Sequence, residues 1–87
     1  MATTAWGEAK VVESVSFEQR GGGRAFATRV ELLEGEGGEC LVRFSYSTDG
    51  VARRGPVTLR RGDLATLKKA LRKAPRLRAM LEEGVGR

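Results

Sequence analysis

In 87 residues the sequence has no histidine, one cysteine, two prolines and one tryptophan. Without histidine, the commonest general base and metal ligand is missing. The carboxylates are scattered, and no P-loop, metal-ligand spacing or nucleophile–base pair is present. These absences imply a protein that is not an enzyme and carries neither metal nor cofactor. Cys40 has no second thiol to pair with, which suits a reducing cytoplasm, and it reads as a small buried hydrophobe. No apolar run approaches the roughly 18 residues that a membrane span needs. The start MATTAWGEAK lacks the charged-then-apolar order of a signal peptide. The expectation is one small cytoplasmic domain with no membrane contact. A domain of this size buries only about 60–65% of its unfolded surface and gains from oligomerising.

Basic charge is what the sequence does have, and it is unevenly placed. Residues 1–50 carry five basic and eight acidic groups, whereas residues 51–87 carry eleven basic and three acidic ones. The net +5 is therefore the remainder of an acidic first half and a strongly basic second half. Such a concentrated positive field suits a polyanion, although a solvated helix face reads the same way.

Four strand-like runs precede one helical run. In residues 10–18, Val11, Val15 and Phe17 share a face that Glu13 interrupts, and QRGGGR follows as a turn. Residues 24–34 place Phe26, Thr28, Val30 and Leu32 on one side, with Arg29 and Glu31 on the other. After GEGG, residues 39–47 send Cys40, Val42, Phe44 and Tyr46 to one face and Arg43 to the opposite one. Thr48-Asp49-Gly50 is a hairpin signal. A fourth strand, broken at Gly55-Pro56, is expected to finish with Val57-Thr58-Leu59. The parity makes Phe17, Phe26 and Phe44 core residues. Trp6 falls in an expected tail over residues 1–8, ahead of a single domain over 9–83 and a frayed end at 84–87.

The helix should begin near Asp63, whose charge complements the first-turn dipole. Leu64, Leu67, Leu71 and Ala74 form an apolar stripe, and Leu77, Met80 and Leu81 extend it beyond Pro75, which either kinks the helix or starts a second one. Lys68, Lys69, Arg72 and Lys73 flank the stripe, as dimer-rim residues or as phosphate contacts. The expected fold is α+β: a four-stranded antiparallel curved sheet followed by one C-terminal helix. A homodimer seam is expected on Leu64, Leu67, Leu71, Leu77 and Leu81.

Arg53-Arg54-Gly55, the short strand Val57-Thr58-Leu59, the turn, and a helix opening with Leu64 and Leu67 resemble the transcriptional positive cofactor four family of single-stranded-DNA-binding coactivators, a group related to Whirly-like folds. CLVRFSY (residues 40–46) and STDG are similar to that family's central strand and following turn. The chain departs from the pattern in having Leu64 where an aromatic is common, in Pro56 and Pro75, and in lacking a sheet tryptophan. The resemblance implies a helix-mediated dimer whose curved sheets hold single-stranded nucleic acid with little sequence preference.

Single strands are held by a positive track together with flat side chains for base stacking. Arg29, Arg43, Arg53, Arg54 and Arg60 lie on or beside the expected sheet, and Tyr46 is the candidate stacking ring, if it turns outward. Arg43 either faces a ligand or pairs with Glu31 on the neighbouring strand. Arg53 and Arg54 either close on a strand of nucleic acid or remain solvated loop residues. The expected partner is single-stranded DNA or RNA, for a factor in transcription, replication or repair. The alternative is a small protein-interaction module whose basic helix docks an acidic partner. A duplex reader is disfavoured, because residues 62–73 carry few side chains suited to base edges.

Overall fold

Alternating apolar and polar residues drive three long strands, and everything else is arranged around them. The computed structural model describes residues 2–21 and 23–84. Gly22 of the first turn and residues 85–87 of the expected frayed end lie outside the described residues. The elements are β1 (Ala2–Thr4), β2 (Gly7–Gly21), β3 (Arg24–Gly35), β4 (Cys40–Thr48), β5 (Val51–Arg53), α1 (Arg61–Ala70) and α2 (Pro75–Glu83). All strand pairs are antiparallel and follow chain order, giving a curled five-stranded meander. No helix among the described residues is long and apolar enough to cross a membrane.

The α+β class stands, but the sheet has five strands rather than four, and two helices follow it instead of one. The extra strand is β1, inside the expected tail. Its turn is closed by Thr4, whose hydroxyl donates to the Gly7 carbonyl at 2.7 Å and accepts from the Trp6 N–H at 3.0 Å. No apolar period announces such a turn, and Trp6 itself is exposed. The expected last strand ends early, at Arg53. Gly55 takes φ +126° and Pro56 offers no N–H, so residues 54–60 leave the sheet as a linker. Asp49 and Gly50 both adopt positive φ, the backbone that a tight hairpin between β4 and β5 requires. Pro75 does start a second helix. The preceding Ala74 is driven out of helical geometry (φ −134°, ψ 72°), and the proline occupies the first position of α2, where its missing N–H costs nothing.

Both helices lie on one face of the sheet. Val15 and Phe17 of β2 and Val30 and Leu32 of β3 pack under Leu67, Leu71, Ala74 and Leu77. On the opposite face a smaller cluster joins Ala2 and Ala9 to Leu33, with Leu41 against it. Phe44 departs from expectation: it shares the helix-side face with Val30, its partner in the register, yet remains 43% exposed.

Glu13, which interrupts the apolar face of β2, has a structural task. A β-bulge between Val11 and Glu13 shifts the register and turns Glu13 to the helix side, opposite Leu32. There its Oε1 accepts the N–H of Leu77 at 2.9 Å. That N–H is one of the unsatisfied donors in the first turn of α2, so the sheet caps the helix. Leu77→Ala should lower the unfolding free energy by about 2–5 kcal/mol, because its side chain is fully buried. Glu13→Ala should lower it by about 1–2 kcal/mol, with Glu13→Gln retaining an acceptor and losing less. Urea titrations followed by circular dichroism measure both.

Candidate nucleic-acid interface

The linker after β5 crosses the helix-side face and is fastened at its far end. Asp63, in the first turn of α1, is buried and accepts the Arg60 N–H at 2.9 Å and Gln19 Nε2 at 2.8 Å. Gln19 also donates to the Thr58 carbonyl at 3.1 Å, and its Oε1 accepts the hydroxyl of Thr28. Arg60 adds a bond from its guanidinium to the Arg20 carbonyl at 2.8 Å, and a longer contact to Asp63 at 3.4 Å. The backbone N–H of Arg60 holds the Asp63 carboxyl below its ordinary pKa, burial opposes that shift, and the Gln19 amide and Arg60 guanidinium reinforce it.

This latch closes one wall of a cavity of about 340 Å³. Phe26 and Tyr46 form the floor, while Pro56, Val57 and Thr58 of the linker make the opposite side. The two rings meet edge to face, 6.2 Å apart at 82°. Tyr46 donates its hydroxyl to the Arg54 carbonyl at 3.2 Å, tying the linker down over the ring. A side chain at Gly55 would come within 3.6 Å of the same hydroxyl, on a backbone that only glycine adopts readily. Arg20 and Arg60 stand at the rim. Arg53 is opposite Tyr46 in the β4–β5 ladder, and its Nε donates to the Thr48 hydroxyl.

The six expected binding residues are thereby divided. Tyr46 and Arg60 line this cavity and Arg53 and Arg54 adjoin it through Tyr46, whereas Arg29 and Arg43 point to the other face of the sheet, among Ser14, Ser16 and Ser45. Arg43 takes the salt-bridge alternative: its Nη2 and Nε both donate to one oxygen of Glu31, at 2.9 and 3.0 Å. Glu31 is only 5% exposed, so Arg43 compensates a buried carboxylate that would be costly if left alone. The Arg29 side chain makes no hydrogen bond or ion pair among the described residues.

Of the expected seam, Leu67, Leu71 and Leu77 are buried against the chain's own sheet, and Leu81 packs half-buried at the border of that core. Leu64 alone of the five is exposed, at 52%. Sequence reasoning missed the roles of Gln19, Thr28 and Phe26 at the cavity, and saw Asp63 only as a complement to the helix dipole. A signal for Gln19 existed, since it shares parity with Phe17 and so places an amide on the apolar face. Its partners, 39 and 44 residues away, could not be read.

Because the Asp63 pKa is lowered on folding, its contribution is complete above the ordinary carboxylate value of 3.8 and is lost as the pH falls through the lower folded-state value. The stability gap between the parent and Asp63→Asn should therefore be constant near neutrality and shrink on acidification below that value. Thermal melts across an acid series give this directly.

No family model, curated protein or solved structure matches the chain.

Proposed function

We propose that the protein binds single-stranded nucleic acid with little sequence preference, as the resemblance to the transcriptional positive cofactor four family implies. In this reading one base enters the cavity beside Phe26 and Tyr46. Arg20, Arg53, Arg54 and Arg60 take the phosphates on either side. The observation that carries the reading is a cavity lined by two aromatic rings together with Arg20 and Arg60, with Arg53 and Arg54 adjoining Tyr46. Stacking surface and phosphate-neutralising charge are the two things a single strand needs, and arginine's planar fork serves both.

The polar groups around the cavity support tolerance of sequence. The Gln19 amide, the Thr28 hydroxyl and the Thr58 carbonyl are already bonded to one another or to Asp63. They offer a base little edge-specific recognition, which leaves stacking and charge to supply the affinity. A factor for transcription, replication or repair would use such a site on melted DNA.

A second reading rests on a separate observation. Lys68, Lys69, Arg72 and Lys73 are all exposed on and just after α1, so an acidic protein segment could dock there. The two differ in ligand and in which residues matter.

Fluorescence anisotropy of a labelled mixed-sequence single strand, against its duplex, should show salt-sensitive binding that favours the single strand. The double variant Arg53→Ala, Arg54→Ala should weaken binding and flatten the slope of log K against log salt by about 1.4, the value for two phosphates. Tyr46→Leu should cost about 1–3 kcal/mol of affinity without altering that slope. Equal binding of duplex and single strand, or indifference to these substitutions, would reject the site. No binding to either single strand or duplex would instead favour the helix surface as a dock for an acidic protein segment.

A further inference from the structure

The sheet has two long stretches of open edge. At one side, β1 covers only Gly7, Glu8 and Ala9 of β2. At the other, β5 covers only Tyr46, Ser47 and Thr48 of β4. From Leu41 to Ser45 the far edge of β4 has no strand beside it. Among the described residues, no backbone hydrogen bond from a turn or loop reaches it either.

The two edges are built differently. Along β2 stand Lys10, Glu13, Glu18 and Arg20, the strand is bulged after Val11, and the Arg20 carbonyl is already taken by Arg60. Charges and a bulge are what proteins use to stop an edge from pairing. The open segment of β4 reads Leu41, Val42, Arg43, Phe44, Ser45, without proline, glycine or bulge. Its single charge is drawn aside by Glu31, and Phe44 leaves 43% of its surface in water.

We propose that this edge pairs with the same edge of a second copy of the chain, antiparallel about a two-fold axis, so that the sheets of the two copies become one. The sequence of the edge is self-complementary in one register. Centred on Val42, the pairing sets each Phe44 over Cys40 of the other copy, covering the exposed ring, and sets Leu41 against Arg43. Glu39 of each copy then falls opposite Ser45, on the face that carries Arg29 and Arg43, so unlike charges approach. A shift that centres the pairing on Arg43 places two guanidinium groups face to face, which like-charge repulsion disfavours. A residue-centred register also keeps the helices of both copies on one side of the joint sheet, and carries the two Phe26–Tyr46 cavities to its opposite ends.

Light scattering over a dilution series tests this. The parent should show about twice the chain mass of 9.4 kDa, falling to the chain mass on dilution. Phe44→Lys should run at the monomer mass with an unchanged circular dichroism spectrum, since the ring is not part of the buried core. Leu64→Glu, on the exposed face of α1, should leave the dimer intact. Amide exchange supplies a reading that needs no substitution: the outward amides of residues 41–45 should be protected in concentrated parent protein and released on dilution. A parent that is monomeric throughout, unprotected amides at 41–45 in a dimer, or a dimer dissociated by Leu64→Glu but not by Phe44→Lys would each overturn the proposal.

Discussion

The buried carboxylate of Asp63 is the point on which the candidate site depends. It sits where three separate pieces of chain converge: the end of β2 through Gln19, the linker through Arg60, and the first turn of α1 to which it belongs. A charged acceptor receiving a backbone N–H and an amide N–H is a stronger tie than a neutral pair. It also orients Gln19 so that the same side chain can grip Thr58 and Thr28. Without it, only the Arg60–Arg20 and Gln19–Thr58 bonds would tie the approach to α1 to the end of β2, and the cavity would lose support for one wall. Fold and site are thus joined through one small polar network.

The distribution of charge follows from a similar division of labour. The most buried acidic groups are committed internally: Glu31 to Arg43, Asp63 to Arg60 and Gln19, and the half-buried Glu13 to the α2 backbone. Glu34 likewise binds Arg76. Three of those carboxylates take an arginine with them, so the pairing leaves the chain's positive excess unchanged. Much of that excess lies in the linker and the two helices.

How far the sequence revealed this depends on the range of each interaction. The cores of β2, β3 and β4 were legible because a period of two along each strand needs no knowledge of its partners, and the register follows from keeping one face apolar. The stripe Leu67, Leu71, Leu77 was legible for the same reason, but its target was not, since periodicity does not say which surface a stripe meets. β1 was hidden because it rests on a local Thr4 turn, with little apolar burial. The site was legible in its charges and in Tyr46. Its geometry was not: the register puts Arg53 on the face opposite Arg29 and Arg43, and only the course of the linker after Arg53 brings Arg60 back beside Tyr46.

The bulge between Val11 and Glu13 carries a consequence for how the chain reaches this structure. Glu13 meets the Leu77 N–H only if the extra residue of β2 is accommodated at that place. A strand slipped by one residue would send the carboxylate to the wrong side and deny α2 its cap. The last helix therefore acts as a proofreader of the β2–β3 hairpin. It docks fully only on a sheet whose strands are already in step, so an error made early in the chain stays unlatched until its end arrives to test it.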